Sequence, residues 1–466
     1  MTHFHFIGIG GTGLSPLARV LFERGHYISG SDITLSPPAK ELQTLGIKVS
    51  VGHKAENVAG ADIVIRSSAI PDNNVEVLAA INAHVPVLKR ADFLKQLTSG
   101  LKVIAIAGTH GKTTTTAMIS WMLTQLGEDP SFIIGGVSKN LGLNAHSGKG
   151  KYFVIEADEY DSMFLGLQPD FLIVTNIEYD HPDYYPSAES YKKAFLDLIN
   201  LIKPQGTLLA CADNAGSAQL TKYANKRIKT FTYGINSQAH YSAKDIHYQK
   251  DDGVTFTAVI PKTKIVLYKE INIHLQITGI HNIRNALASL AVAHQLSQPL
   301  ENAIKTLEVF TGTKRRFDIL GKVNGITIIN DYAHHPTEIR ATISAARCRY
   351  PNQEIWTVWQ PHTYSRTKEL LPDFLTAFYE SDHVIVTEIF AAREKKQAYS
   401  ARKVVSQIKH KDARFISDLE NTANFLLKNL KSGDILLVLS AGDANQISYR
   451  VFAQLKKIAN KRVTNG

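Results

Sequence analysis

The chain has 466 residues, which at about 150 residues per domain predicts three domains. It carries 52 Lys plus Arg against 42 Asp plus Glu, a net charge of +10, and 44% of its residues are hydrophobic. This balance excludes disordered, collagen-like and low-complexity chains, and no apolar run approaches the roughly 18 residues that a membrane span needs.

His3 and His5 interrupt the first apolar residues and a glycine loop opens at Gly8, so no signal peptide is expected. Cys211 and Cys348 are far apart, which argues against a disulfide framework or a cysteine zinc site. A reducing cytoplasm is the expected compartment. The positive residues are scattered and no nucleic-acid motif appears, so neither nucleic acid nor membrane is an expected partner. A phosphate-rich small molecule or a solvated surface accounts for the charge.

Residues 1–98 alternate strands and helices. Strands are expected at His3–Gly8, His26–Gly30, Lys48–Val51 and Asp62–Arg66, and helices at Leu14–Arg24, Ala39–Leu45 and Asn74–Ala83. That rhythm predicts a mostly parallel sheet covered by helices. A second unit opens at Lys102–Ala107, a continuous apolar strand of the buried parallel type, followed by a helix over Thr114–Gln125. Further strands are expected at Tyr152–Glu156, Phe171–Thr175 and Thr207–Cys211. An antiparallel patch is expected within 228–278, and a helix over Ile283–Leu296. A third α/β unit starts near Thr313, with strands at Thr327–Ile329, Glu354–Trp359, His383–Thr387 and Asp434–Leu439.

Gly8-Ile9-Gly10-Gly11-Thr12-Gly13 satisfies G-x-G-x-x-G between a strand and a helix. Glycines there permit a tight turn and bring backbone N–H groups to a pyrophosphate. Asp32, after the second strand, is placed to bond a ribose hydroxyl. Taken alone, the loop suits a nicotinamide enzyme, another nucleotide-diphosphate binder or a structural turn.

The second loop, Gly108-Thr109-His110-Gly111-Lys112-Thr113-Thr114, is shorter than G-x-x-x-x-G-K-[ST], since Ile106 stands where the long form carries its first glycine. Its chemistry still suits a nucleoside triphosphate. Backbone N–H groups cradle phosphate oxygens, Lys112 reaches the β/γ-phosphates and a Thr113 or Thr114 hydroxyl ligates Mg²⁺. Glu156 ends one buried strand and is placed to hold the metal. His181, beyond another strand, offers a ring nitrogen to a second. Asn282 and Asn285 lie three apart on one helical face, where they read a base or a phosphate, or Asn282 simply caps the helix.

Together these segments resemble the Mur ligases of peptidoglycan synthesis over nearly the whole chain. The resemblance rests on Gly8–Ala18, Gly108–Thr115, Glu156–Asp161 and Thr175–His181, and continues in family order through His281–Ala286, Lys314–Phe317, Asp331–Glu338 and Gln360–Arg366. It implies a three-domain α/β architecture. Residues 1–99 would form a Rossmann-like domain for a UDP sugar, 100–312 a P-loop ATPase-like domain, and 313–466 a Rossmann-like domain for the amino acid.

The implied reaction is ATP- and Mg²⁺-dependent joining of L-alanine to the carboxylate of UDP-N-acetylmuramate through an acyl phosphate. The implied protein is a cytoplasmic monomer or weak homodimer. By the same resemblance, Gly10, Gly11, Thr12, Gly13 and Asp32 face the UDP sugar. Gly108, Thr109, His110, Gly111, Lys112, Thr113, Thr114, Asn282, Asn285, Arg316 and Asp331 face ATP. Thr113, Thr114, Glu156 and His181 hold metal, and Tyr332, His334 and Arg366 lie near the amino acid. His334 or a water takes the proton of the attacking amine. The catalytic set is thus Lys112, Glu156, His181, His334 and Arg366.

Two positions depart from the family pattern. Thr363 replaces the arginine of P-H-R-Y, and Leu196 stands where several related ligases place a carbamylated lysine, so none is expected. A recycling ligase that attaches a preformed tripeptide to the same UDP sugar is the neighbouring reading. A nicotinamide oxidoreductase and a silent nucleotide-binding regulator are the readings from other classes.

Overall fold

The computed structural model describes residues 1–235, 238–249, 252–261 and 268–464. The chain divides into two compact units. One holds Met1–Glu178, Glu189–Ser242 and Asn285–Leu307, and the other holds Tyr179–Ala188, Ala243–Arg284 and Glu308–Gly466.

In the first unit, strands β1 (His3–Ile7), β2 (Tyr27–Asp32), β3 (Lys48–Val51), β4 (Ile63–Arg66) and β5 (Val87–Lys89) pair in the order β3-β2-β1-β4-β5. All pairs are parallel, the Rossmann-like arrangement. Helices α1 (Ser15–Glu23), α2 (Pro37–Thr44), α3 (Val75–Asn82) and α4 (Arg90–Leu97) connect or follow them. The expected boundaries hold to within about two residues, while β5 and α4 lie in a stretch for which no element was expected. Ile7 and Val64 of the parallel strands share one buried core with Val77 and Ala80 of α3, as a sheet covered by helices requires.

A second sheet of this unit is built on β6 (Lys102–Ala107), which leads into α5 (Lys112–Gln125). Strands β7 (Ser131–Ile133), β8 (Ala145–His146) and β9 (Tyr152–Glu156) follow, then β10 (Phe171–Val174), α6 (Ala188–Asn200), β11 (Thr207–Cys211), α7 (Ala215–Leu220) and β12 (Lys229–Gly234). Strand β6 lies between β9 and β10, parallel to both, so the chain leaves β6 to one side and later returns on the other. Ligand crevices form at such a switch point, beyond the carboxyl ends of the strands. Tyr241 and Ser242, the first residues of β13 (Tyr241–Gln249), pair parallel with β12.

The second unit contains the antiparallel pair β14 (Gly253–Pro261) and β15 (Tyr268–Leu275), as the alternation within 228–278 predicts. Residues 236–237, 250–251 and 262–267 of that stretch lie outside the described residues. Helix α8 (Ile280–Gln295) starts three residues before its expected beginning, so Asn282 sits inside the first turn and is not its cap. From Asn285 on, α8 belongs to the first unit, as does α9 (Leu300–Glu308) up to Leu307.

The last sheet has the order β16-β17-β21-β18-β19-β20, formed by β16 (Asp318–Val323), β17 (Ile326–Asp331), β18 (Ile355–Trp359), β19 (His383–Val386), β20 (Ala413–Phe415) and β21 (Ile435–Leu439). Only β16 runs antiparallel, at an edge. Helices α10 (Pro336–Arg349), α11 (Tyr364–Glu369), α12 (Leu371–Phe374), α13 (Ala401–Val405), α14 (Leu419–Asn429) and α15 (Asn445–Thr464) complete it. No helix among the described residues is long and apolar enough to cross a membrane.

Candidate functional site

The phosphate-type loop lies at the carboxyl end of β6, where parallel packing leaves room above the sheet. Gly108 has φ +130° and Gly111 φ +81°, conformations that glycine adopts without strain. A Cβ on Gly108 would collide with Thr175 Oγ1 and lie 2.9 Å from the Asn176 carbonyl oxygen. The loop is fastened from β10. Thr109 N donates to Asn176 O (3.1 Å), His110 N to Asn176 Oδ1 (2.8 Å), and Thr175 Oγ1 to His110 O (2.5 Å). Gly108→Ala is therefore expected to fold poorly or to lose nucleotide binding, with at least a tenfold rise in the ATP KM of any folded fraction.

Helix α5 starts at Lys112, two residues earlier than expected. Its N-cap, Gly111, offers no side chain to the first-turn amides. Those N–H groups have no intrahelical acceptor and favour an anion. Lys112 Nζ donates to Gly108 O (2.5 Å) and Thr109 O (3.1 Å) and pairs with Glu159 Oε2 at 2.9 Å. Burial alone would lower the Lys112 ammonium, but the carboxylates of Glu159, Glu156 and Asp158 outweigh it and raise its pKa. Lys112 thus stays charged beside a buried carboxylate.

Thr113 Oγ1 donates to Glu156 Oε1 at 3.1 Å, and Gly135 N donates to Glu156 Oε2 at 2.7 Å. A hydroxyl and a carboxylate side by side are the oxygen donors that a hard cation such as Mg²⁺ takes, so these residues fit the metal. Thr114 is buried in the same first turn. Asn285 belongs to this unit and accepts from Thr115 Oγ1 (3.0 Å).

The first glycine loop follows β1 at the switch point of its own sheet. Gly8 N and Ile9 N donate to Ser31 O, and Gly10 N donates to Asp32 Oδ2 (2.9 Å). Asp32, expected at a ribose hydroxyl, thus braces the glycine loop through its Oδ2. Gly11 N donates to Gly8 O, closing the turn before Thr12. Gly13 lies directly under Arg90, whose Nη2 donates to Asp158 Oδ2 at 3.1 Å.

In the second unit three segments meet at one sheet edge, because β17, β18 and β21 are parallel neighbours. Asp331 ends β17, and its two oxygens accept from Phe317 N and Ala333 N, both at 2.7 Å. Arg315 and Arg316 stack on the Tyr332 ring at 4.8 and 5.0 Å, and Arg316 pairs with Glu338 (3.3 Å). His334 Nδ1 donates to Tyr332 O (2.9 Å), which leaves the lone pair on Nε2. Burial lowers His334 to about 3 and His362 to about 2. Both rings are neutral at pH 7, and His334 is a weak base.

Arg366 is buried, 2% exposed. Its Nε donates to Asp180 Oδ1 (2.7 Å) and its Nη1 to His362 O (2.8 Å). His181 N donates to Asp180 Oδ1 as well (2.7 Å), and His181 has φ +57°. Asn282 Nδ2 donates to Thr278 O (2.7 Å).

Burial also pushes Asp331 up to about 6, against the pull of Arg316 and of the Phe317 and Ala333 amides. A carboxyl that holds its proton more tightly when folded stabilises the fold at low pH, and that contribution is lost as pH rises from about 4 to about 6. The expected loss is about 2–3 kcal/mol. Asp331→Asn is expected to flatten this slope in urea unfolding measured at successive pH values.

Sequence reasoning gave no role to Glu159, Asp180, Glu338, His362 or Arg90. Glu159 and Asp180 lie inside quoted motifs, but nothing in their spacing names a partner. Arg90 carried no local signal at all.

Models of the Mur ligase family match the chain in three stretches. The family's catalytic domain matches residues 3–101, its middle domain 106–293 and its glutamate ligase domain 315–442. The UDP-N-acetylmuramate–L-alanine ligase of Caldanaerobacter subterraneus is 40% identical over 97% of this chain and 98% of its own length. That of Acetivibrio thermocellus is 42% identical over 96% of this chain and 94% of its own. The crystal structure of the UDP-N-acetylmuramate–alanine ligase from Thermotoga maritima superposes with a TM-score of 0.82 at 28% identity, covering 98% of this chain and all of that one. By these matches and its three α/β domains in series, the chain belongs to the Mur ligase family.

Proposed function

We propose that this enzyme joins L-alanine to the carboxylate of UDP-N-acetylmuramate with conversion of ATP to ADP and phosphate, in the cytoplasm, as a step of peptidoglycan synthesis. One observation carries the reading. Lys112, Thr113 and Glu156 come together beside the second glycine loop, with Thr113 Oγ1 donating to Glu156 Oε1 at 3.1 Å, in a chain 40–42% identical to UDP-N-acetylmuramate–L-alanine ligases.

The muramic carboxylate attacks the γ-phosphorus and ADP leaves, giving an acyl phosphate. The neutral amine of alanine then attacks the acyl carbon, and phosphate leaves from the tetrahedral intermediate. Phosphoryl transfer needs positioning and charge compensation rather than a covalent enzyme nucleophile. Lys112 and the α5 amides supply fixed positive potential. Thr113, with Thr114 nearby, and Glu156 would hold one Mg²⁺, and His181 would serve another. When bound, Mg²⁺ neutralises phosphate oxygens. Asn282, Asn285, Arg316 and Asp331 are assigned to the nucleotide, and Gly10 to Gly13 with Asp32 to the UDP sugar.

Tyr332, His334 and Arg366 are assigned to the amino acid. With a pKa of about 3, His334 orients the amine through Nε2, and water takes the proton. We assign the three roles to domains 1–99, 100–312 and 313–466, in a monomer or weak homodimer.

The test is release of ADP and phosphate with Mg²⁺, ATP and UDP-N-acetylmuramate, offering L-alanine, glycine, L-serine and the tripeptide separately. Turnover that requires both the UDP sugar and L-alanine is expected. Turnover with the tripeptide alone would replace this reading with the recycling ligase.

A further inference from the structure

The carboxylate of a free amino acid must be held while its amine reacts, and a guanidinium matches it in charge and shape. Under the proposed function, on which this inference rests, the acceptor is an amino acid bound near Tyr332, His334 and Arg366. Thr363, between His362 and Tyr364, supplies no charge, and the rings of His334 and His362 are neutral. Arg366 is only 2% exposed and already committed to Asp180 and to the His362 carbonyl. Drawing it away would strand a buried carboxylate.

A second guanidinium faces the same segment. Arg393 lies in the connection between β19 and α13, and residues on both sides of it are pinned to the 361–365 stretch. Phe390 N donates to Pro361 O (2.9 Å), and the Phe390 ring stacks on His362 at 5.8 Å and 12°. The Glu394 carboxylate accepts from Tyr364 N (2.8 Å), from Ser365 N and from Ser365 Oγ.

Arg393 is thereby held beside His362, where its charge helps depress the ring's pKa. Its Nε and Nη2 both contact Asp183 Oδ2 at 2.6 Å, which fixes the plane of the guanidinium. Its side chain is 40% exposed, so of the two arginines acting on His362, Arg393 is the one a solute can reach.

We propose that Arg393 is a specificity-determining residue that binds the carboxylate of the incoming amino acid, supplying the cation that Thr363 does not. The guanidinium is pre-oriented by Asp183 and pinned through Phe390 and Glu394, so little side-chain freedom is lost on binding.

The test is steady-state kinetics of the full-length enzyme. Arg393→Ala is expected to raise the L-alanine KM at least tenfold, while kcat and the KM values for ATP and UDP-N-acetylmuramate change less than about threefold. Arg393→Gln keeps a donor for Asp183 and is expected to raise the L-alanine KM to a similar degree, which covers a failure of the alanine variant to fold.

L-alaninamide, which lacks the carboxylate, separates binding from structure. Its KM is expected to be the same in wild type and in either variant. An unchanged L-alanine KM in the variants would overturn the proposal, as would an equal penalty on L-alaninamide. Absence of wild-type turnover with L-alanine, with turnover on another acceptor, would overturn the acceptor reading and take the role of Arg393 with it.

Discussion

Lys112→Ala is expected to lower the rate of ADP release by about 10²–10³-fold at saturating ATP, and to weaken the fold as well. Under the proposed function, the rate effect comes from removing a fixed charge at the place where phosphoryl charge develops. The stability effect comes from Glu159. Its side chain is 1% exposed and pairs with Lys112 at 2.9 Å, so removing the ammonium takes a counter-charge from a buried carboxylate. Breaking such a pair from one side costs about 3–5 kcal/mol.

The two effects separate in the double variant. Glu159→Gln in the Lys112→Ala background is expected to recover most of the lost stability and none of the rate. Chemical denaturation followed by circular dichroism reads the first, and coupled ADP release reads the second. A double variant as unstable as the single one would show that Glu159 is not what Lys112 compensates.

Asp180→Asn is expected to destabilise the second unit by about 3–5 kcal/mol. Arg366 is almost fully buried, and Asp180 Oδ1 accepts both its Nε and the His181 amide at 2.7 Å. Burial alone would raise the Asp180 carboxyl, but the charges of Arg366, His181 and His335 outweigh it and hold it well below the ordinary carboxylate range. A carboxyl that is more acidic in the fold contributes stability that is fully present above its unfolded pKa of about 4. That contribution disappears as pH falls from there through the depressed folded value.

Wild type should therefore lose stability steeply in that acid range, and Asp180→Asn should show a smaller slope from a lower starting point. Tryptophan fluorescence reports on this unit through Trp356 and Trp359, both largely buried. Acid sensitivity identical in the two proteins would place the titrating group elsewhere. Arg366, which Asp180 holds in place, also donates to the His362 carbonyl oxygen, so the variant should raise the L-alanine KM under the proposed function.

Several features were legible from local sequence because their physics is local. A short continuous apolar run such as Lys102–Ala107, bounded by a glycine loop, suits a strand covered on both faces, and it is one. Glycines at 108 and 111 followed by Lys112 and Thr113 mark a turn into a helix with a charge at its start, and the structure has that turn. The parallel sheets, the antiparallel pair β14–β15 and the placement of Glu156 at the end of β9 follow from the same periodicities. Where the expectation slipped, the elements were short or flanked by irregular backbone. Strand β5 has three residues, and α5 begins at Lys112, directly after the left-handed Gly111 and two residues before its expected start.

The chain's order of motifs thus determined the family and its three α/β domains, and it named the candidate residues for phosphate and metal chemistry. What it left undetermined was the electrostatic state of those residues. Lys112 meets a carboxylate 47 residues away and Arg366 one 186 residues away, separations for which no periodicity names a partner. Whether Arg366 is a free cation, His334 a usable base or Asp331 an ionised carboxylate depends on burial and on charges brought together from distant segments. Only the packed tertiary structure decides those quantities, because desolvation and Coulomb energy act through space and not along the chain.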